Sequence, residues 1–204
     1  MERKETWQRD AEECLRRGSV ETARAILAHT LATFPTSRGT WRAAAALEKA
    51  HGTAESLHDV LLRAVAACPT TEVLWLMAAK EKWMAGDVPA SRNLLEAAFE
   101  RNPDSEEILL AAFKLELETR EPERARVILQ RAREGGGVST ARVWMKSAIV
   151  ARELASADEE RALLLEGIAK CVRAGGRRCV LLLRGVARAH TSPRAGSRRP
   201  TSFT

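Results

Sequence analysis

Small and apolar side chains recur along this chain with a stride of 34 residues. Four equally spaced anchors mark the stride, and a fifth follows one residue late: Trp7, Trp41, Trp75, Leu109 and Trp144. In the second to fourth repeats, the third and fourth residues after the anchor are also small or apolar. A spacing of three and four places these side chains on one helical face. The pattern therefore predicts a helix at each anchor, called helix A.

A second helix, called helix B, is predicted directly after the first. Helix A should end eleven residues after the anchor, where a glycine can adopt the left-handed conformation: Gly18, Gly52 and Gly86. The residue after each glycine is a good N-cap: Ser19, Thr53 and Asp87. Helix B then carries an apolar pair, as at Leu94 and Leu95. A proline 28 residues after the anchor prevents its continuation: Pro35, Pro69 and Pro103.

Two helices that repeat every 34 residues are typical of a solenoid, in which each repeat buries its apolar face by stacking on its neighbours. We therefore predict an all-α fold over residues 1–171. It is a right-handed α-solenoid of about five antiparallel helix hairpins, with a concave groove lined by the A helices. The fourth repeat has Arg120 in place of the terminating glycine and carries Gly135–Gly137 before the late anchor. This irregularity indicates either a bend or a tolerated loop insertion.

Residues 172–204 differ from the repeats in composition. They contain eight Arg and no Asp or Glu, and the formal net charge of the whole chain is +6. The first 171 residues therefore carry a net charge of −2, which argues against nucleic-acid binding by the repeat region as a whole. The Arg-, Gly- and Ser-rich composition predicts a mostly disordered tail. Basic tails bind RNA phosphates through counterion release, so an RNA-binding module acting through the tail is an alternative function.

The sequence contains no pattern that is typical of an enzyme or a metal site. The four Cys form no CxxC pair, and the four His are scattered along the chain. The Gly135–Gly137 run lacks the Lys-Ser/Thr of a phosphate-binding loop. No stretch approaches the ~20 apolar residues of a membrane span. We expect an intracellular, non-enzymatic protein with no cofactor, no metal, no membrane segment and no small-molecule substrate.

Two kinds of side chain are candidate partner contacts. Trp83 is an extra aromatic on helix A, eight residues after the Trp75 anchor, with core packing as the alternative role. The position 17 residues after the anchor is Arg in four repeats: Arg24, Arg92, Arg126 and Arg161. Each Arg is expected either to pair with a Glu on helix A of its own repeat, as Arg126 with Glu116, or to contact a ligand. The candidates are therefore Trp83, Arg92 and Arg126, whereas the anchors and prolines are expected to be structural.

The repeat resembles the half-a-TPR (HAT) repeat, which has the length of a tetratricopeptide (TPR) repeat. The matching residues are Trp41 with Glu48, Ala23-Arg24, Ala125-Arg126, Arg63-Ala64, Arg131-Ala132 and the three prolines. About residues 6–170, and most specifically residues 51–116, further resemble the pre-mRNA-processing factor 6 family. The repeats of that family form a scaffold in the spliceosomal tri-snRNP that bridges its U5 part to its U4/U6 part. Members of that family carry many more repeats, so the chain resembles a segment of one.

The resemblance implies a non-enzymatic splicing scaffold in the nucleus. Its partners would be spliceosomal proteins of the tri-snRNP, with snRNA bound indirectly within the complex. The alternative within the same class is a HAT-repeat scaffold of another RNA-processing complex, in RNA 3′-end or ribosomal-RNA processing.

Overall fold

The computed structural model of the chain describes residues 4–134 and 140–173. These residues form ten α-helices and no β-strand: α1 (Lys4–Arg16), α2 (Val20–Thr33), α3 (Arg38–His51), α4 (Ala54–Ala67), α5 (Glu72–Met84), α6 (Val88–Arg101), α7 (Glu106–Glu118), α8 (Pro122–Glu134), α9 (Ala141–Glu153) and α10 (Ala157–Arg173). The predicted all-α fold is confirmed. The predicted disordered tail beyond Arg173 and the Gly135–Gly137 run lie outside the described residues.

The helix starts reproduce the stride that the sequence predicts. The odd-numbered helices are the A helices, and each begins three residues before its anchor: Lys4, Arg38, Glu72, Glu106 and Ala141. Successive starts are 34 residues apart three times and 35 residues apart before α9, and the B helices keep the same spacing. The described residues therefore contain five helix pairs, as predicted. The handedness of the solenoid and its concave groove stay predictions.

The described residues form two compact units: an N-terminal unit that extends to Leu115 and a C-terminal unit that begins at Glu116. In the N-terminal unit, each helix from α1 to α5 packs against the next one in the chain. Their core contains Leu27, Trp41, Leu74 and Trp75, with many alanines between them. Alanine keeps the helices close because it has no bulky side chain, so each hairpin buries its apolar face on its neighbours.

The C-terminal unit has a core of its own. In it, α9 packs against both α8 and α10. Trp144 and Ala148 of α9 meet Leu163 and Leu164 of α10. The division between the two units falls inside α7, where Leu115 and Glu116 continue the helix without interruption. No change in the repeat pattern of the sequence at this point predicts the division between the two units. The predicted boundary between repeats and tail at residues 171 and 172 stays a prediction.

Helix A ends at a left-handed residue in four of the five repeats. Gly18 and Gly86 have φ values of 79° and 83°, as predicted. Arg120 and Ala155 occupy the equivalent position in the fourth and fifth repeats, with φ values of 60° and 59°. A Cβ makes this conformation unfavourable by roughly 1–2 kcal/mol. These two repeats therefore keep the same helix end at a cost in stability.

Gly52 does not adopt the predicted left-handed conformation, so that prediction is wrong. Its φ of −99° and ψ of −163° are extended backbone. A Cβ at Gly52 would lie 2.1 Å from Oε2 of Glu48 and 2.8 Å from the Glu48 carbonyl oxygen. The glycine is therefore required because the Glu48 side chain occupies the space where a Cβ would stand.

Two of the three predicted N-caps form. Thr53 and Ser56 make a capping box: each backbone N–H donates to the other's hydroxyl oxygen, at 3.1 Å for Ser56 and 3.0 Å for Thr53. Asp87 Oδ1 accepts from the N–H of Ala90 at 3.1 Å. Ser19 makes no side-chain cap hydrogen bond, so its predicted role is wrong. Helix α2 therefore starts without the stabilisation that a cap gives.

Candidate protein-binding face

The anchors and the prolines meet where one hairpin follows another. Trp41 Nε1 donates a hydrogen bond to the carbonyl of Pro35 at 2.7 Å, and Trp75 Nε1 donates to the carbonyl of Pro69 at 2.9 Å. Because proline ends helix B, its carbonyl has no partner within a helix and accepts from the next helix A. The constant six-residue offset between proline and tryptophan is the sequence signal for this contact. The stride predicts both residues but not the bond between them.

The third joint, meaning the junction between a helix B and the next helix A, is built differently because the side chain of Leu109 has no N–H to donate. Asn102, which directly precedes Pro103, donates from Nδ2 to the carbonyl of Pro69 at 3.2 Å. Pro69 therefore accepts bonds from two successive joints, and this fixes the loop before α7 to the loop before α5. An open groove of about 510 Å³ lies beside these loops. Its lining mixes cations with anions, so it favours no ligand charge: Arg38, Arg101, Glu72 and Asp104.

The predicted anchors differ in burial. Four of them are nearly inaccessible, with exposed fractions of 4% for Trp41, 8% for Trp75, 4% for Leu109 and 1% for Trp144. Trp7 is half-buried, with its ring centroid 4.8 Å from the ring of His29 and 6.1 Å from that of Phe34. Burial alone does not measure what an anchor contributes, so the structural role of the anchors stays a prediction that substitution must test.

Glu48 connects three helices through buried polar contacts. Its side chain is 8% exposed, and Oε1 accepts from Nε of Arg24 on α2 at 2.7 Å. Oε2 accepts from Oγ of Ser56 on α4 at 2.7 Å. The hydrogen bond from Arg24 lowers the pKa of Glu48, and the bond from Ser56 acts in the same direction, although burial opposes both. The fold therefore stabilises the charged carboxylate.

This contact corrects the predicted pattern of ion pairs. An Arg at the start of helix B is expected from the sequence to pair with a Glu on helix A of its own repeat. Arg24 instead pairs with Glu48 of the following repeat, because Cys14 stands at the equivalent position of its own. The pair therefore joins two hairpins, and its sequence signal is a separation of 24 residues.

The candidate contacts Arg92 and Arg126 lie on α6 and α8. Arg126 is exposed in the C-terminal unit, and its guanidinium lies 3.8 Å from Glu123 and 2.9 Å from Glu159. Exposed pairs of this kind contribute only ~0–1 kcal/mol. Arg92 is half-buried on α6. Contact of either residue with a partner stays a prediction.

Two cationic groups contact the buried ring of Trp144. Cζ of Arg133 lies 5.4 Å and Nζ of Lys170 lies 4.8 Å from the ring centroid. Burial lowers the pKa of Arg133, whereas Glu166 and Glu159 oppose the shift. Within the described part of the chain, the buried Nε of Arg133 makes no hydrogen bond. These contacts belong to the core of the C-terminal unit.

The A helices of the N-terminal unit lie side by side. Side-chain contacts join α1 to α3, α3 to α5 and α5 to α7: Gln8 with Thr40, Lys49 with Glu81, and Trp83 with Lys114. The accessible side of α3, α5 and α7 is called the A face and is defined by six residues: Arg42, Val73, Leu76, Lys80, Trp83 and Lys114. Trp83, a predicted partner contact, lies on this surface, which three repeats share.

Trp83 is half-buried and packs partly against the core of the N-terminal unit. Nζ of Lys114 lies 5.5 Å from its ring centroid, within the range of a cation–π interaction. Part of the ring is therefore packed against the core, and part of it remains accessible. Its contact with a partner stays a prediction.

The described residues contain neither a candidate metal site nor a candidate membrane span. Residues 4–134 and 140–173 contain no group of three or more His, Cys, Asp or Glu that is arranged to hold a metal ion. None of the helices in these two segments is long and apolar enough to cross a membrane.

Comparison with solved structures identifies the fold. The tetratricopeptide repeat family model matches residues 82–149. The crystal structure of MamA is similar with a TM-score of 0.56 and 11% identity, over 85% of this chain and 94% of that one. TTC0263, a thermophilic TPR protein of Thermus thermophilus, has a TM-score of 0.51 and 14% identity, over 92% of this chain and 98% of that one. At these identities the likeness shows a TPR-like fold and no more.

A curated relative matches a shorter part of the chain more strongly. Over 49 residues, 24% of this chain, the sequence is 65% identical to Protein STABILIZED1 of Arabidopsis thaliana. The match spans 5% of the length of that protein. The chain is therefore similar to a small part of a much longer relative.

Proposed function

We propose that the chain is a non-enzymatic scaffold in pre-mRNA splicing, which acts in the nucleus and bridges components of the U4/U6-U5 tri-snRNP by protein–protein contacts. One observation carries the scaffold role: successive hairpins of the N-terminal unit are joined contact by contact, so that α3, α5 and α7 present one shared face. Repeat folds of this kind use such extended surfaces to bind other macromolecules.

The assignment to splicing rests on the resemblance of residues 51–116 to the pre-mRNA-processing factor 6 family. The identity of 65% to STABILIZED1 over 49 residues supports kinship with a long protein of which this chain covers one part. The proposed partners are therefore proteins of the tri-snRNP, with snRNA held indirectly. The scaffold makes and breaks no covalent bond.

Affinity purification of the tagged full chain from nuclear extract tests this function. We expect tri-snRNP proteins together with U4, U5 and U6 snRNAs. Recovery of ribosomal-RNA precursors or of RNA 3′-end processing factors in their place would favour a HAT-repeat scaffold of another complex. An unrelated helical repeat protein with the same tag provides the control for nonspecific binding.

The composition of the tail favours one second candidate, an RNA-binding module. Residues 172–204 carry eight Arg without a single acidic residue. Deletion of these residues separates the two functions: on the scaffold proposal, tri-snRNP proteins remain bound to the shortened chain. If the shortened chain loses both RNA and proteins, the RNA-binding module becomes the better account.

A further inference from the structure

We propose that the A face binds an acidic segment of a partner protein and that a bulky apolar side chain of this segment packs on Trp83. The inference deepens the proposed scaffold function, on which it rests, because it names the chemistry of the partner. It is carried by the charges and the apolar side chains of α3, α5 and α7.

The A face is positively charged. Arg42, Lys80 and Lys114 are all exposed, and Lys80 and Lys114 occupy the same position in successive repeats. Of the acidic groups beside these cations, Glu81 of α5 is bound to Lys49 of α3, and the exposed Glu107 lies on α7 at the position that Val73 occupies on α5, so basic side chains outnumber acidic ones on the face. A partner that carries Asp or Glu therefore meets cations on all three helices of the face, and opposite charges steer and orient such a partner.

Apolar side chains lie among these cations. Val73 is 40% exposed, and Leu76 and Trp83 are half-buried, on the same side of α5 as Lys80. Their spacing of three, four and three residues keeps all four on one helical face. A half-accessible indole beside apolar neighbours is the kind of anchor point that interfaces use. The face therefore suits a segment that combines acidic residues with one large apolar residue.

The charge of the surrounding unit favours a protein segment over RNA. Residues 1–115 contain 15 Lys and Arg but 17 Asp and Glu, which gives a net charge of −2. A nucleic-acid strand carries one negative charge per nucleotide. Its binding requires that basic side chains neutralise several of these charges. An acidic peptide concentrates its charge in a few residues and can confine it to the A face.

The size of the face sets the length of the segment. Neighbouring packed helices are about 8–10 Å apart, so three A helices span roughly 20 Å between the outer axes. An extended chain advances about 3.3 Å per residue, so about six or seven residues cross the face. A nine-residue peptide therefore covers it with a margin at each end.

The test measures binding of one defined peptide to the full chain. The probe is a fluorescently labelled nonapeptide with blocked ends, made of Gly and Ser with three Glu, one for each basic residue of the face, and a single central Phe. We expect saturable binding that weakens about tenfold or more when Lys80→Glu reverses a charge on the face, since like charges oppose binding. Trp83→Ala, or replacement of the central Phe by Ala, should also weaken it. Arg124→Glu makes the same charge change on an exposed residue of α8, a helix that carries no residue of the A face, and should leave binding unchanged.

RNA provides the competing occupant in the same experiment. A nine-nucleotide oligouridine is titrated against the same variants, and its affinity should not respond to Lys80→Glu. The inference is overturned if the peptide does not bind, if Arg124→Glu weakens its binding as much as Lys80→Glu does, or if RNA binding responds to Lys80→Glu as strongly as peptide binding. None of these results bears on whether tri-snRNP proteins co-purify with the chain, so the two proposals fail separately.

Discussion

At the residue scale, the ends of the A helices show how the same backbone conformation is reached with different residues. Gly18 and Gly86 adopt positive φ without strain, whereas Arg120 and Ala155 adopt it despite their Cβ atoms. The strained positions follow α7 and α9, and both lie in the C-terminal unit. The repeat can therefore tolerate loss of the glycine but should be less stable for it.

Arg120→Gly and Ala155→Gly are each expected to raise the free energy of unfolding by about 0.5–1 kcal/mol, because relief of the left-handed strain outweighs the extra entropy of an unfolded glycine. Urea denaturation followed by circular dichroism measures the change. The matched control is Gly18→Ala, where a Cβ meets no atom within 4 Å and only the φ of 79° is unfavourable. That control should lower stability, and a loss of stability in both glycine variants would refute the strain.

Gly52→Ala is expected to lower the free energy of unfolding by about 1–3 kcal/mol, as overpacking does elsewhere. The cause is displacement of the Glu48 carboxylate, which lies 2.1 Å from the position of the new Cβ. Gly39→Ala, within helix α3, is the control: its Cβ meets only the flexible Gln8 side chain, at 3.3 Å. Denaturant titration should show Gly39→Ala near neutral or stabilising, and an equal loss in both variants would contradict the account.

Protonation of Glu48 is expected to destabilise the fold at acidic pH. Its pKa is lowered in the folded chain, chiefly by the hydrogen bond from Arg24, so its stabilisation is complete above the unfolded-state pKa of 4.5 and is lost as the pH falls through the folded value. Unfolding free energies measured between pH 7 and pH 3 should fall less steeply in Glu48→Gln than in the wild type. Identical slopes would mean that the pair does not couple to folding.

At the scale of the elements, each joint between hairpins depends on a contact that crosses repeats. Trp75 reaches the proline that ends the preceding helix B, and Arg24 of α2 reaches Glu48 of α3. The contact between tryptophan and proline recurs at Trp41 and Pro35, whereas the equivalents of Arg24 and Glu48 one repeat later are His58 and Lys82, which cannot form the same pair. The hairpins are therefore positioned by their neighbours, as expected for a repeat fold.

Trp75→Phe separates the hydrogen bond of the joint from the packing of the ring. Loss of the Nε1–H bond to Pro69 is expected to cost about 1 kcal/mol, with a smaller packing loss added, whereas Trp75→Ala should cost about 3–5 kcal/mol. Chemical denaturation measures both values. Trp83→Phe makes the same change at a half-accessible indole and should cost less than Trp75→Phe. A loss below about 1 kcal/mol for Trp75→Ala would disprove the anchor role.

The stride of the sequence predicted the elements because it reflects packing that every repeat shares. The helix starts, the prolines and the ends at Gly18 and Gly86 all follow from it. The role of Gly52 did not, because it depends on where the Glu48 side chain lies in three dimensions. The pairing of Arg24 with Glu48 of the next repeat did not follow from the expected pairing within one repeat, since periodicity gives a position but not the direction in which a long side chain reaches.

At the scale of the whole molecule, residues 4–134 and 140–173 form two compact units with separate cores. Trp41 and Trp75 belong to the core of the N-terminal unit, and Trp144 belongs to that of the C-terminal unit. In repeat proteins, stability is approximately a sum of local terms, so damage to one core need not unfold the other.

Trp144→Ala is therefore expected to act locally. Hydrogen exchange should become much faster for the amides of residues 141–173 but remain nearly unchanged for residues 38–101. The reason is that the Trp144 side chain is 1% exposed, so its removal leaves a large cavity between α9 and α10. Exchange read by mass spectrometry resolves the two segments. Trp41→Ala is the reciprocal control, and equal acceleration in both segments would contradict two separate cores.

The most direct test of the central claim, a scaffold that holds spliceosomal proteins by protein–protein contacts, is purification of the full chain from nuclear extract before and after digestion with ribonuclease. The account predicts that proteins of the tri-snRNP stay bound to the chain after the snRNAs have been destroyed. Loss of these proteins on digestion, or their absence from the undigested sample, would contradict it.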